Sequence, residues 1–381
     1  MECREWVLPF AVDVRLTLSV QGRGRGDPTF RADEAGAIWR TSLTPDGPAT
    51  IRIVGVSPRG GDPSAVLPRG PSPLSTRGIG GRPPYHPPPR GNEHTPLAPG
   101  PLSAPLADDA SAVPSTTRVA AQAWGPGAGW MLDALPGCLG CADDVSGFDP
   151  GDHPVIRDAA RRHPGLRIGR SGRLMEALVP AILEQKVVVL EAHRAWRILL
   201  GKHGTTPPGP APHGMRVFPP PAVWRRIPSW DWHRAGVEGV RALTIMGAAA
   251  VADSLERLLD LGHAEADRKL RTLPGIGIWT SAEARQRAAG DPDAISVGDY
   301  HLSNVVGFAL AGRDRTDDVL MLELLKPWDG QRYRVTRLIG LSRGDGRGTA
   351  TGGSGSAAGR RYGGGPQRRG PRMSVRDYRN F

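Results

Sequence analysis

The chain has 381 residues, among them 51 glycines and 38 prolines, and a formal charge of +11 from 49 basic and 38 acidic residues. That length can bury a large core and hold two or three domains, but so much Gly and Pro excludes one uniform packed fold and points to low-complexity stretches. The positive charge suggests a polyanionic partner, yet residues 341–381 hold nine arginines against Asp345 and Asp377, so the other 340 residues carry only about +4.

From residue 6 to 56 the apolar positions alternate, with Val12, Val14, Leu16, Leu18 and Val20 on one face, which predicts a strand. Further strands are predicted at 38–40 and 49–56, separated by a turn at Thr44-Pro45-Asp46-Gly47-Pro48. Residues 57–116 are dominated by Pro, Gly, Ser and Arg, lack periodic apolar positions and read as a disordered insertion. A last strand at 118–123 and a short helix at 130–136 close this part. Cys3, Cys138 and Cys141 are an odd, sparse set that fits a reducing compartment. The lone pair Cys138-Leu139-Gly140-Cys141 is too few ligands for a structural zinc, so ordinary thiols are expected.

From Phe148 the texture is helical. Helices are predicted at 153–163, at 174–185 with Leu174, Leu178 and Ile182 on one buried face, and at 187–200 with Gly201 as terminator. A proline-rich connection at 207–221 leads to Trp224, Trp230 and Trp232, read as core residues, and then to an amphipathic helix at 248–261 with Leu255, Leu258 and Leu259 inward. Helices at 264–271, 278–290, 300–310, 317–325 and 332–341 complete a domain of eight to ten helices. Residues 342–370 are rich in Gly and Arg and read as mobile, either brushing DNA non-specifically through phosphate charge or serving as a low-complexity spacer. No apolar run reaches the length of a membrane span, and Met1 to Glu5 lack a basic export region, so neither insertion nor export is expected.

The most specific string is Leu273-Pro274-Gly275-Ile276-Gly277-Ile278-Trp279-Thr280. Pro274 disfavours helix at the residue before it, and the glycines allow a tight turn, which makes the unit helix, hairpin, helix. Gly275 and Gly277 carry no Cβ, so a phosphate can approach the amides with which the next helix begins. Such a grip would hold DNA without reading its sequence.

This string resembles the helix-hairpin-helix DNA glycosylases, and within them the 3-methyladenine DNA glycosylase II type. The resemblance runs from about Phe148 to Tyr333 and reappears at Pro371 to Tyr378. It implies a mainly α fold: an all-α glycosylase domain at 148–341, preceded by a small α+β N-terminal domain at 1–56 and 117–147. The insertion at 57–116 interrupts that N-terminal domain, and a Gly/Arg-rich tail at 342–381 follows. In the family an invariant aspartate stands about twenty residues after the hairpin, which by position is Asp299. Members that also cut the strand have a lysine where this chain has Trp279, so the resemblance implies a monofunctional enzyme. The four-cysteine cluster that binds an iron–sulfur centre in some relatives does not occur.

Asp299 is the expected catalytic residue, since a carboxylate near C1′ stabilises the cationic sugar and can orient a water. Its place before a helix also suits an N-cap. Trp279 and Tyr300 offer π surfaces to a flipped base, and to a cationic alkylated purine above all. Glu283 stands where relatives often have another aromatic, and a carboxylate there would either hydrogen-bond a base edge or attract a cationic one. Trp328, in Lys326-Pro327-Trp328, either lines the pocket or packs. Gln185 and Lys186 lie at a helix junction that carries a wedge in relatives, often leucine in the closest type. With Gly275, Ile276, Gly277 and Thr280 they form the expected DNA-binding set.

The reading that follows is a base-excision repair enzyme that flips damaged purines of the 3-methyladenine type out of duplex DNA and hydrolyses their glycosidic bond. Neither metal nor organic cofactor is expected, and the resemblance implies a cytoplasmic, nucleoid-associated monomer with double-stranded DNA as its partner. The alternative is a catalytically inactive helix-hairpin-helix DNA-binding protein. A glycosylase for oxidised or mismatched bases would call for lysine at 279 or an iron–sulfur cluster.

Overall fold

The computed structural model describes residues 1–56 and 116–342. Apart from residues 116 and 342, the predicted insertion, the tail and the C-terminal part of the family resemblance lie outside the described residues.

The N-terminal part is an antiparallel sheet of order β1-β5-β4-β3-β2, made of β1 (Glu2–Leu8), β2 (Phe30–Ala32), β3 (Ile38–Thr44), β4 (Gly47–Val56) and β5 (Thr117–Trp124). The β3–β4 hairpin turns on Pro45 and Asp46, with Thr44 paired to Gly47 at φ +118°, a backbone angle that favours glycine. The two strands that flank the predicted insertion pair directly, Val56 opposite Arg118 and Thr50 opposite Trp124, so the sheet is continuous across that interruption.

Residues 12–20 depart from expectation. They form a helix, α1 (Val14–Ser19), and not a strand. The Asp13 carboxylate accepts the Leu16 N–H at 2.8 Å, which caps the first turn. Short alternating apolar runs are ambiguous between the two structures, and here the cap decides. Leu18 joins Leu8, Ile51, Ile53 and Val119 in a core closed by Met131, Leu132 and Leu135 of α2 (Ala128–Cys138). The Cys138 thiol is buried, and burial pushes its pKa up; Cys3 and Cys141 are exposed.

The helices that follow build two further cores. The larger surrounds α4 (Leu174–Leu183), in which every residue but Glu176 is buried, so it is a central helix and not one with a single buried face. Its ends are satisfied by side chains: Glu256 accepts the Leu174 and Met175 amides at 2.8 and 3.2 Å, and Arg241 donates to the Leu183 carbonyl at 2.7 Å. Glu176 accepts from Ser42 Oγ and the Leu43 amide at 2.7 and 2.8 Å, fastening α4 to the sheet. Around α4 stand α5 (Val189–His203), α6 (Pro221–Trp224), α7 (Ser229–Ala235), α8 (Gly239–Ala250), α9 (Ala252–Glu256), α10 (His263–Leu270) and α11 (Ile278–Ala288). The smaller core joins α3 (Pro154–Arg162) to α12 (Leu302–Ala311), α13 (Asp318–Leu325) and α14 (Arg332–Ser342).

Several boundaries differ from those predicted. α5 runs past Gly201, whose missing Cβ faces open space, and ends at Gly204. The helix expected at 248–261 is broken at Val251, with α8 before it unforeseen and a 3-10 turn, Arg257–Asp260, after α9. Twelve α-helical segments result from 154 to 342, above the eight to ten expected, because α6 and α9 are short. Trp224 and Trp232 are core residues, whereas Trp230 is 65% exposed, since it lies two positions from Trp232 and so off the buried face of α7.

Arg334 on α14 pairs with the buried side chain of Asp143, donates to Gln331 Oε1 at 2.7 Å and lies over the Phe148 ring at 5.6 Å. Removing one partner strands the other charge in the core. Arg334→Met is expected to cost about 3–5 kcal/mol in urea denaturation, and adding Asp143→Asn to it should recover part of that loss.

Candidate active site

The hairpin after α10 is built from local bonds. The Leu273 amide donates to Leu270 O at 3.1 Å and the Ile276 amide to Leu273 O at 3.1 Å, while Ile276, 5% exposed, plugs the turn into the larger core. Gly275 sits at φ +82°, and a Cβ there would lie 2.2 Å from Thr244 Oγ1. Nothing lies within 4 Å of a Cβ placed on the exposed Gly277, which leaves the start of α11 open to an incoming group. Behind the turn, Asp267 accepts from Ser281 Oγ at 2.7 Å and pairs with Arg285 at 3.3 Å, while Arg285 also pairs with the buried Asp291. Those ties fix the angle between α10 and α11.

The α4–α5 junction is bonded to the same turn. Gln185 Nε2 donates to Gly275 O and to Thr280 Oγ1, each at 2.8 Å. Lys186 next to it has φ +54°, the one positive φ outside glycine among the described residues, and its side chain is exposed. A lysine held in that left-handed region costs on the order of 1–2 kcal/mol, so the surrounding contacts, not the residue, impose the turn.

Asp299 lies on the segment that crosses from α11 in one helical core to α12 in the other. Its Oδ1 accepts the His301 and Leu302 amides, both at 2.9 Å, from two residues before His301, the N-cap of α12. Its Oδ2 accepts Trp279 Nε1–H at 3.2 Å. Two amides orient the carboxylate, and the indole fixes its second oxygen. Gly298, at φ +87°, donates its amide to Asp318 at 2.9 Å, which sets the turn into Asp299.

The other predicted residues are distributed unevenly. Trp279 meets Asp299, and Glu283 lies one turn along α11 from it, whereas Tyr300 is 63% exposed with its ring edge-on to His301. Trp328 is 9% exposed, packs in the smaller core and donates Nε1–H to Asp149 O at 3.1 Å. Thr280 is buried and receives Gln185.

Glu283 does not stand as a free carboxylate. It accepts Ser296 Oγ–H at 2.5 Å and Arg287 Nη1–H at 2.7 Å. Burial alone would pull the Arg287 pKa down, but Glu283, then Tyr333 and Glu184, outweigh it and hold the guanidinium above its usual range. Arg23 from the N-terminal part is buried beside Glu184 at 3.4 Å, and burial, with Arg287 near, lowers its pKa. Glu184 in turn is lowered, because Arg23, His193 and Arg287 overcome its burial. Sequence reasoning missed Arg287, Ser296, Arg23 and Glu184. The spacing of Trp279, Glu283 and Arg287 at four-residue steps was the available signal for Arg287.

No family model matches the chain. Over 154 residues it is 30% identical to a probable bifunctional transcriptional activator/DNA repair enzyme AlkA of Mycobacterium tuberculosis, a match covering 40% of this chain and 30% of the relative. The match thus spans about 30% of the length of the curated relative. Among solved structures, a 3-methyladenine DNA glycosylase from Archaeoglobus fulgidus superposes with TM-score 0.63 at 15% identity, covering 89% of this chain and 98% of that one. An 8-oxoguanine glycosylase/lyase from Clostridium acetobutylicum, in complex with double-stranded DNA, gives TM-score 0.56 at 9% identity over 90% of this chain and 97% of that one. The fold is that of the helix-hairpin-helix DNA glycosylases. Within them the sequence likeness is to the AlkA type, over the matched residues.

Gly275→Ala is expected to destabilise the protein by about 1–2 kcal/mol through its backbone angle alone, with more from the displaced Thr244. Thermal unfolding of Gly275→Ala with and without Thr244→Ala separates the two parts; an unchanged melting temperature in the single variant would contradict the hairpin geometry.

Proposed function

We propose that the chain is a monofunctional DNA glycosylase of base-excision repair, acting on alkylated purines in the manner of the 3-methyladenine type. The observation that carries this reading is the Asp299 carboxylate, held by two helix amides and the Trp279 indole beside the hairpin. The α11 N-terminus at Gly275, Ile276 and Gly277, with Thr280, Gln185 and Lys186 around it, takes a phosphate of duplex DNA. The damaged nucleotide rotates out of the stack towards Trp279. The C1′–N bond breaks with its electron pair leaving on the base, and Asp299 stabilises the positive charge left on the sugar. A water then adds to C1′ and loses its proton, giving free base and an abasic strand.

Trp279 supports the monofunctional form of the reading, because an indole cannot form the imine that strand cutting by a lysine requires. No step calls on a metal or organic cofactor. The protein acts as a monomer on DNA in the cytoplasm, at the nucleoid; among the described residues no helix is long and apolar enough to cross a membrane. One observation favours the alternative, a DNA-binding protein without activity: the charged Glu283–Arg287 pair stands one turn along α11 from Trp279, where an aromatic base platform would be expected.

Asp299→Asn is expected to lower release of methylated purine from duplex DNA by on the order of 10²-fold or more with DNA binding kept. Equal release by the variant would overturn the assignment; release by neither protein would favour the alternative. Trp279→Phe keeps the ring but removes the N–H donor to a charged acceptor, so kcat should fall by about 10-fold with KM little changed. A change confined to KM would show that the ring, and not the hydrogen bond, carries the role.

A further inference from the structure

Between Glu191 and Glu238 the chain holds seven Arg and Lys side chains and one acid, Asp231, although residues 1–340 together carry only about +4. The excess positive charge ahead of the tail is therefore gathered in the stretch from α5 to α7. Asp231 does not offset it at the surface, because that carboxylate is buried and committed to Lys202 Nζ at 2.5 Å and His203 Nε2 at 3.1 Å. The same two contacts fasten the start of α7 to the end of α5. At the other end Arg194 of α5 reaches Gly236, just past α7, with Nη1 3.7 Å from where a Cβ would stand. The two helices thus lie antiparallel, side by side. Arg194, Arg225 and Arg226 ahead of α7, and Arg234 on α7 are all exposed. Trp230 stands one turn before Arg234 on the outer face of α7, 65% exposed, where it forgoes the burial that Trp224 and Trp232 gain.

This surface starts at the hairpin. Gln185, at the entry to α5, donates to Gly275 O and Thr280 Oγ1, and Arg241 donates to Leu183 O at 2.7 Å and to Gly236 O at 3.4 Å. From there α5 runs for 15 residues, about 20 Å. We propose that the α5–α7 surface binds the sugar–phosphate backbone of duplex DNA to one side of the damaged nucleotide. The proposal goes beyond the glycosylase reading and rests on it only for the place of the lesion at the hairpin. Guanidinium groups fork onto phosphate oxygens, and a flat indole packs on the deoxyribose between them. Neither contact reads a base, so the grip is independent of sequence. A surface about 20 Å long spans about six base pairs at roughly 3.4 Å each. Contact at a second place on the duplex fixes which way the DNA runs across the hairpin.

The test uses two duplexes of about 16 base pairs, each with a tetrahydrofuran abasic analogue about four pairs from one end or from the other, so that only one of them lays a long arm along α5 and α7. The wild type is expected to bind one duplex on the order of 10-fold more tightly than the other. Arg225→Gln/Arg226→Gln/Arg234→Gln should lose that difference at unchanged melting temperature, with the slope of log affinity against log salt on the favoured duplex shallower by about 2 to 3. Trp230→Ala should narrow the difference and leave the slope as it is. A triple variant that binds both duplexes as the wild type does, or that loses affinity equally on both, overturns the proposal and leaves the glycosylase reading intact. Binding as expected without release of base from methylated DNA upholds this surface and refutes the enzyme instead. Failure of the wild type to bind either duplex overturns both.

Discussion

The hydrogen bond from Trp279 to Asp299 is the contact on which the rest depends. It joins α11, rooted in the larger helical core through Ala284 and Ala288, to the entry of α12, rooted in the smaller one through Val306. Neither core alone would fix the carboxylate. The amides of His301 and Leu302 orient one oxygen from the α12 side and the indole holds the other from the α11 side, so its position records how the two cores meet. In the reaction proposed above, a carboxylate held that way would stabilise charge developing beside it without reorganising.

The surrounding structure can be read as support for that contact. The hairpin turn is clamped from behind by Asp267, Arg285 and Asp291, and from the side by Gln185. The buried Arg23 and the partly buried Glu184, Arg287 and Glu283 tie the N-terminal part, the end of α4 and α11 together. Replacing such pairs with apolar residues often costs little, whereas breaking one is expensive, so they act more as registers of position than as sources of stability. Strain appears at Lys186, where the chain turns between α4 and α5 beside the hairpin.

Local chemistry made part of this legible from residue types alone. Pro274, Gly275 and Gly277 announce the hairpin because their backbone preferences act over two or three residues. Asp299 was singled out as the proposed catalytic residue by its distance in sequence from that hairpin, not by any property of its own. Where the outcome turned on competing local signals the reading failed: the alternation from Val12 to Val20 suits a strand, and only the Asp13 cap shows the helix. The break at Val251 and the outward face of Trp230 depend on tertiary packing that periodicity does not encode. The pairing of Arg23 with Glu184 joins residues 161 positions apart, and nothing in either segment points to the other.

The most direct measurement of the central claim is a single-turnover reaction of the intact chain with methylated duplex DNA, scoring free base, strand integrity and borohydride trapping together. The account predicts free purine, an intact abasic strand and no trapped adduct, as hydrolysis at C1′ beside Asp299 with Trp279 in the lysine's place requires. A trapped protein–DNA adduct with strand cleavage, or no free base at all, would contradict it.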